Sequence, residues 1–183
     1  MKLGNLTAIF ATLVFSMAFV AQARGANKAD VYFGYSRVGG NLYAANTGGM
    51  NGWQAAAHVK FLPFVGAEGD VSHYGVNSNG FSQHVTLVMF GPRITAHAVG
   101  FSAFVHALGG LAHENATVTT FPEVGYNAAS YALGGGADIP VLLGLKFRVT
   151  GDYLGNSKAP TAADSGGHAP SHYRVGVGLA YHF

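Results

Sequence analysis

The 183-residue sequence contains no cysteine and few charged residues. Without cysteine the chain can form no disulfide, carry no lipoprotein anchor and bind no metal through thiolates. Charged residues make up 10% of the chain, against roughly 25% in a typical soluble domain. A formal net charge of +2 is too small to indicate a nucleic-acid partner. The composition therefore excludes cysteine chemistry and argues against an ordinary soluble domain.

Long apolar runs are also lacking, except at the start of the chain. Lys2 precedes an apolar run from Leu6 to Val20, and the small-x-small pattern Ala21-Gln22-Ala23 follows it. This arrangement is typical of a secretory signal peptide, so we expect residues 1–23 to be removed and residues 24–183 to form one domain. The alternative is a membrane anchor, for which the run is somewhat short.

What the sequence does have is glycine, aromatic residues and an apolar average. It contains 27 glycines and 13% aromatic residues, and its mean hydropathy is +0.24. No stretch after residue 23 is long and apolar enough to be a membrane helix. In hydrocarbon, a closed β-barrel is the other structure that satisfies all backbone hydrogen bonds. An exported, apolar chain of this kind therefore predicts a membrane β-barrel.

Alternation of apolar and polar residues predicts eight strands in four hairpins. The predicted strands cover residues 29–38, 53–61, 64–74, 81–93, 101–113, 129–139, 144–154 and 172–183. The connections after strands one, three, five and seven are mostly long and polar, whereas the other three are shorter and contain proline. We therefore predict an all-β fold, an antiparallel up-and-down transmembrane barrel with long external loops and both termini in the periplasm.

Each predicted strand has an apolar face for lipid and a polar face for the lumen. In the fourth strand, Val85, Leu87 and Met89 are assigned to lipid, and residues 91–100 to the following turn region. Residues 114–128 are predicted to form a loop. The aromatic residues near strand ends predict interfacial girdles, with ordinary β-propensity as the alternative explanation: Tyr35, Trp53, Phe61, Phe64, Tyr74, Phe101, Tyr131, Tyr153, Tyr173, Tyr181 and Phe183.

Charged and histidine side chains inside the strands are few, and we expect them to form a charge network in the lumen. The predicted network is His58, Lys60, Glu68, Asp70, Asp138, Lys146, Arg148, Asp152 and Arg174. Hairpin closure would set His58 opposite Glu68, Asp138 opposite Lys146, and Asp152 near Arg174. Because an eight-stranded barrel is just wide enough for its own side chains, paired charges would plug it. A narrow pore gated by these charges is the alternative.

The last strand resembles the C-terminal insertion signal of bacterial outer-membrane proteins, which the barrel assembly machinery recognises. Its pattern is Tyr173, Val175, Val177, Leu179, Tyr181 and the terminal Phe183. Residues 28–183 also resemble the small OmpA-like outer-membrane barrel-domain family, through Gly91-Pro92-Arg93 and the glycine-rich stretches 104–110, 132–138 and 173–178. The resemblance implies insertion into the outer membrane, with lipid and lipopolysaccharide as partners, but no single activity.

The nine histidines show no metal-ligand spacing, and we expect no metal and no cofactor. The adjacent pairs Ser72-His73 and Ser171-His172 point to opposite faces of their strands, so neither forms a catalytic dyad by itself. The sequence therefore favours a monomeric, non-enzymatic structural or surface-interaction protein. Two alternatives stay open, a small pore and a secreted lipocalin-like barrel that holds an apolar ligand.

Overall fold

The computed structural model of the protein describes residues 29–39, 49–78, 81–118, 121–156 and 171–183. It shows a closed barrel in which each strand pairs with the next and β8 pairs with β1, all antiparallel. The strands are β1 (Ala29–Gly39), β2 (Met50–Lys60), β3 (Val65–Ser78), β4 (Phe81–Ala98), β5 (Phe101–Val118), β6 (Phe121–Leu142), β7 (Leu145–Asn156) and β8 (Ser171–His182). The predicted fold class is confirmed.

Two further sequence predictions concern segments that span membranes or direct export. Over the residues that the structure describes, no helix is long and apolar enough to cross a membrane. The predicted signal peptide, residues 1–23, lies outside the described residues and stays a prediction.

The barrel has two distinct ends. The turn end holds the β2–β3, β4–β5 and β6–β7 connections together with Ala29 and Phe183, and the loop end holds the other connections. The strands are staggered. A path that starts at Val38 on β1 and steps from each residue to its Cα partner, first to β8 and then around the barrel to β2, arrives at Lys60. The Cα partner of Ala29 is Val59, so Lys60 lies one residue beyond it. Lys60 is therefore level with position 28, and one circuit of the barrel is displaced by 10 residues along β1 (38 − 28). A staggered barrel of eight strands has an interior that side chains can fill.

The outward side chains form an apolar belt. Phe33 is 64% exposed and Val105 is 59% exposed, although both are large and apolar. Aromatic residues border this belt at the turn end (Phe61, Phe64, Phe101 and Tyr181) and at the loop end (Tyr35, Trp53, Tyr131, Tyr153 and Tyr173). At the loop end the rings touch in a row, with centroids 6.5 Å apart for Tyr131–Tyr153 and 6.0 Å apart for Tyr153–Tyr173. Such girdles mark the two interfaces of a membrane.

The prediction that the apolar face of the fourth strand points to lipid was wrong. Val85, Leu87 and Met89 are buried in the lumen, and Phe90 and Ile94 are the exposed outward residues of β4. Tyr74, predicted for a girdle, is likewise lumenal and 1% exposed. The reason is the same for both: the loop-end half of the lumen is itself apolar, so polarity does not distinguish the two faces there.

β4 also extends beyond its predicted end, through Gly91 and Pro92 to Ala98. Pro92 has no N–H to donate, and the β4–β5 ladder omits Gly91 and Pro92 before it resumes at the Arg93–His106 pair. The β3–β4 ladder continues there, since Pro92 remains the Cα partner of Ala67. The predicted turn region therefore shrinks to Val99 and Gly100, and Gly100 adopts a φ of 83°.

The predicted loop at residues 114–128 is mostly strand, because β5 continues to Val118 and β6 begins at Phe121. β4 and β5 have 18 residues each and β6 has 22, against 11 or 12 in β1, β2, β7 and β8. A membrane-spanning strand needs about 9–11 residues. These three strands therefore project beyond the belt at the loop end, and the connections after β3 and β5 are short rather than long.

Candidate functional site

The lumen at the turn end contains a buried network of ion pairs. Its members are Asp30, His58, Glu68, Asp70, Arg93, His106, Asp138, Arg148, Asp152 and Arg174. All ten are at most 6% exposed. They come from all eight strands, because lumen-facing positions recur at every second residue around the barrel.

Arg174 on β8 lies between two carboxylates. Its Nη1 donates to Asp70 Oδ1 at 2.8 Å and its Nε donates to Asp152 Oδ2 at 2.6 Å. Asp152 and Arg174 are direct Cα partners, so the β7–β8 register brings together the two residues that the sequence analysis placed near each other. Asp70 also accepts a hydrogen bond from Gln54 Nε2 at 2.6 Å, so two donors stabilise its buried charge.

Arg148 on β7 binds Asp138 through two hydrogen bonds, from Nε to Oδ1 at 2.6 Å and from Nη2 to Oδ2 at 2.9 Å. The same Nη2 donates to Asp30 Oδ1 across the lumen at 2.7 Å. The predicted Asp138–Lys146 pair was wrong, because the chain turns at Leu143 and Gly144, later than the predicted connection at residues 140–143. Asp138 therefore pairs with Arg148, and Lys146 lies beside Pro140. Lys60 and Lys146 lie at the turn-end mouth and make no salt bridge with any described residue.

Arg93 is a central member that the sequence analysis missed. Its Nη1 donates to Glu68 Oε2 at 2.9 Å, and its guanidinium lies 3.6 Å from the centre of the Phe104 ring. Asp30 was missed as well, although it contacts Arg93, Arg148 and His58. The signal for Arg93 was alternation that continues past Pro92, which the Gly-Pro pair obscured because such a pair is typical of a turn.

His106 on β5 bridges two carboxylates. Its Nδ1 lies 3.0 Å from Glu68 Oε1 and its Nε2 lies 2.7 Å from Asp152 Oδ1. A neutral imidazole has one N–H, whereas an imidazolium donates from both nitrogens. The two contacts are therefore both satisfied when His106 carries a positive charge. His106 then links the Arg93–Glu68 group to the Arg174–Asp152 group.

His58 is placed differently from its predicted pairing. It is the Cα partner of Glu68, as the hairpin register suggested, but its Nδ1 lies 2.9 Å from Asp30 Oδ2. Asp30 sits on the neighbouring strand β1 as the other Cα partner of His58. Glu68 contacts Arg93 and His106 instead, so Asp30 and Glu68 have different histidine partners.

The loop-end half of the lumen is filled by an apolar layer. Its residues are Val38, Met50, Tyr74, Val85, Leu87, Met89, Leu108, Ala112, Ala132 and Leu154. Each of these is at most 4% exposed. An apolar constriction excludes water and ions by dewetting. The lumen thus contains paired charges at the turn end and close-packed apolar side chains towards the loop end, where the hydrogen-bonded Gln83 and Glu114 are also buried.

Glycines make room for the large lumenal side chains. A Cβ atom added at Gly176 would lie 2.5 Å from Thr150 Oγ1 and 2.9 Å from Gln54 Oε1. A Cβ atom at Gly136 would lie 2.7 Å from the Phe104 ring. These distances are shorter than real carbon contacts allow, so the interior is closely packed at these positions.

The lumen holds acidic and basic groups but not in an arrangement suited to metal binding. In the described ranges, no group of three or more histidine, aspartate or glutamate side chains could hold a metal ion. The His–carboxylate contacts lie inside the network, where both nitrogens of His106 are engaged. The chemistry that the site performs best is charge neutralisation within a buried interior.

The residues of the predicted insertion signal lie on one outward face of β8. Tyr173, Val175, Val177, Leu179 and Tyr181 are between 40% and 66% exposed. Phe183 follows the strand, its N–H donates to the Ala29 carbonyl at 3.0 Å, and its ring lies 5.0 Å from that of Tyr181. The last residue therefore closes the turn-end seam between β8 and β1.

The fold is similar to that of solved outer-membrane proteins. Neisserial surface protein A matches with a TM-score of 0.62 and 9% identity, over 85% of this chain and 96% of that one. Ail, the attachment invasion locus protein of Yersinia pestis, matches with a TM-score of 0.57 and 17% identity, over 85% and 97%. The N-terminal barrel domain of Pseudomonas aeruginosa OprF matches with a TM-score of 0.50 and 13% identity, over 85% and 98%.

Comparisons of the amino-acid sequence give no such match. No protein-family model matches it, and no curated protein sequence does so either. At these low identities the structural matches show a similarity of fold alone. The predicted resemblance to small outer-membrane barrels is confirmed at that level: the chain has the eight-stranded β-barrel fold of bacterial outer-membrane proteins.

Proposed function

We propose that the protein is a monomeric, non-enzymatic barrel of the bacterial outer membrane, a structural or surface-interaction protein with a sealed lumen. This proposal rests on the two layers of the interior, the ion-pair network towards the turn end and the apolar layer towards the loop end. A barrel filled in this way supplies a rigid anchor rather than a passage. Its specific interactions then belong to the loop end.

The outer-membrane location is supported by the belt and by the ends of the chain. The apolar belt between two aromatic girdles suits a bilayer, and the fold matches outer-membrane proteins. The pattern from Tyr173 to Phe183 suits recognition by the barrel assembly machinery, and residues 1–23 suit export. In this orientation the turn end and both termini face the periplasm, and the loop end faces the outside.

A conductance measurement tests the sealed lumen. The refolded protein in a planar lipid bilayer is expected to show no steady current, because ions would have to enter the dewetted apolar layer. The double variant Leu87→Ser/Met89→Ser makes this layer polar and is expected to increase brief openings, whereas the outward variant Val88→Ser is expected to leave the trace unchanged. A steady ohmic conductance from the wild-type protein would establish a pore and overturn the proposal.

A surface-interaction role is supported by the projecting parts of β4, β5 and β6. Polar outward side chains contact one another there: His113 Nδ1 on β5 lies 2.7 Å from Asn127 Oδ1 on β6, and the His84 ring on β4 stacks 5.7 Å from the ring of His73 on the neighbouring β3. Where side chains are described, the outward residues at this end include bases but no carboxylate: Arg37, His73, His84 and His113. This surface suits anionic partners such as lipopolysaccharide.

Binding to a sulfated polyanion tests this surface. Ail has been solved in complex with the heparin analogue sucrose octasulfate, with a TM-score of 0.54 to this chain. We expect the refolded protein to bind heparin at low salt, and the triple variant Arg37→Gln/His84→Gln/His113→Gln to elute at lower salt, because bound polyanions are held by exposed positive groups. Identical elution of variant and wild type would refute a role for these residues.

A further inference from the structure

Four bases surround the turn-end mouth of the lumen, and we call them the mouth bases: Lys60, His97, Lys146 and His182. Lys60 and His182 end β2 and β8, His97 is the next-to-last residue of β4, and Lys146 is the second residue of β7. Each lies an even number of residues from a buried lumenal residue of its own strand, for example His97 from Arg93 and Lys146 from Arg148. All four therefore belong to the lumenal face at its periplasmic opening.

The mouth bases lie close together although they come from four strands. Lys60 Nζ donates to His97 Nε2 at 2.9 Å, which brings β2 and β4 together across the opening. His182 lies near enough to Lys146 and Lys60 to interact with their charges, and Lys60 interacts likewise with Lys146, while the carboxylate of Asp30 acts on His182 and Lys60 in the opposite sense. Like charges held this near one another repel, so the arrangement favours a bound anion that lowers the repulsion.

The mouth bases have no carboxylate of their own among the described residues. The nearest lumenal acids are Asp30 and Asp138, and both are committed to the ion-pair network. Both oxygens of Asp138 accept from one edge of the Arg148 guanidinium, and Asp30 binds Arg148 and His58. The two lysines therefore place positive charge without a salt-bridge partner among the described residues at the opening of an otherwise paired lumen.

Two buried polar atoms beside the mouth bases also lack partners within the described part of the chain. Thr95, which is 4% exposed and lies between Arg93 and His97 on the lumenal face of β4, has an unpartnered Oγ1. His182 has an unpartnered Nδ1. Their backbones are fixed, since Thr95 N donates to the Phe64 carbonyl and His182 N donates to the Gly144 carbonyl, each at 2.8 Å. A buried hydroxyl without a partner is costly and marks a place where a ligand oxygen would fit.

We propose that the mouth bases and Thr95 form a binding site for a phosphate group, open to the periplasm. Lysine ammonium groups, imidazole N–H groups and a threonine hydroxyl are suitable donors for tetrahedral oxyanions. The phosphate can come from free inorganic phosphate or from the headgroup of an anionic phospholipid in the inner leaflet. The periplasmic direction rests on the proposed outer-membrane orientation, but the site itself rests on the residues at the mouth.

The test is a titration of the refolded mature chain in octyl glucoside, which contains no phosphate. Inorganic phosphate is followed by ³¹P line broadening, and in a second arm dihexanoyl phosphatidylglycerol is compared with the zwitterionic phosphatidylcholine. The expected result is saturable binding in at least one arm, weakened at least tenfold by Lys60→Gln/Lys146→Gln. Val99→Gln, a substitution in the exposed β4–β5 turn that leaves the four mouth bases and Thr95 in place, should bind as the wild type does.

The conservative double variant Lys60→Arg/Lys146→Arg keeps both charges and is expected to retain binding, while a gel of unheated samples shows that each variant is folded. Binding of inorganic phosphate identifies a free anion as sufficient, and binding in the lipid arm alone identifies a headgroup. Absence of saturable binding in both arms, or equal affinity of a folded Lys60→Gln/Lys146→Gln variant, would overturn the proposal. Because the assay is in detergent, its failure is separate from any failure of the proposed location or sealed lumen.

Discussion

Arg174 shows at the scale of one residue how the lumen tolerates buried charge. Its side chain is 0% exposed and its guanidinium contacts Asp70, Asp152 and Ser72. A buried ion pair adds little net stability compared with a well-packed apolar pair, but removal of one partner leaves an uncompensated charge. Single residues of the network should therefore be sensitive to substitution even though the network as a whole is not the main source of stability.

Arg174→Gln should destabilise the barrel by about 3–5 kcal/mol, because it leaves two buried carboxylates without their shared cation. The measurement is urea unfolding of the refolded protein in lipid vesicles, followed by the fluorescence of Trp53. The matched control is Arg37→Gln, since Arg37 is exposed and its Nη1 donates to Asn51 at 3.2 Å. We expect this control to change the free energy of unfolding by no more than about 0.5 kcal/mol. Equal stability of the two variants would contradict the role given to Arg174.

At the scale of the element, β8 could be predicted from the sequence and β4 could not. In β8 the outward residues are large and apolar while the lumenal ones are Arg174, two histidines, glycines and alanine, so alternation identifies both the strand and its faces. In β4 the lumenal residues Leu87 and Met89 are as apolar as the outward Val88 and Phe90. Period-2 patterning identifies a strand there but cannot assign its faces, because both of its environments are apolar.

The candidate site was predictable where it depends on register within one hairpin. Asp152 and Arg174 lie on the adjacent strands β7 and β8, and the continuous pairing of these two strands fixes their contact. Contacts across the lumen could not be predicted, since Arg148–Asp30 and Arg93–Glu68 depend on the curvature and stagger of the whole barrel. The Asp138–Lys146 prediction failed because β6 continues to Leu142, so the turn lies later in the chain than the predicted connection at residues 140–143.

The face assignment of β3 and β4 can be tested with a single tryptophan, because Trp53 is the one tryptophan of the chain. In vesicles with brominated acyl chains, Trp53→Phe/Phe90→Trp should be strongly quenched, since residue 90 is outward and 58% exposed. Trp53→Phe/Tyr74→Trp should be quenched much less, because residue 74 is in the lumen. Stronger quenching at position 74 than at position 90 would reverse the assignment of these faces.

At the scale of the whole molecule, closure explains why residues 24–183 can be apolar on average without a long apolar run. Every second residue of the belt faces outward, so the apolar surface is assembled from short alternating segments of eight strands. Closure also leaves no sheet edge along the belt, which a bilayer requires because it offers no water to unpaired backbone groups. The lumen then has to be filled from within, by the ion-pair network at one end and the apolar layer at the other.

The most direct test of the barrel as an outer-membrane protein combines cell fractionation with a gel of heated and unheated samples. A closed barrel held in the membrane should be recovered with the outer-membrane fraction, require detergent for release, and migrate differently before and after boiling, because the folded barrel resists the detergent of the gel. Release of the folded mature chain into buffer without detergent, with the same mobility before and after boiling, would contradict the membrane-spanning barrel.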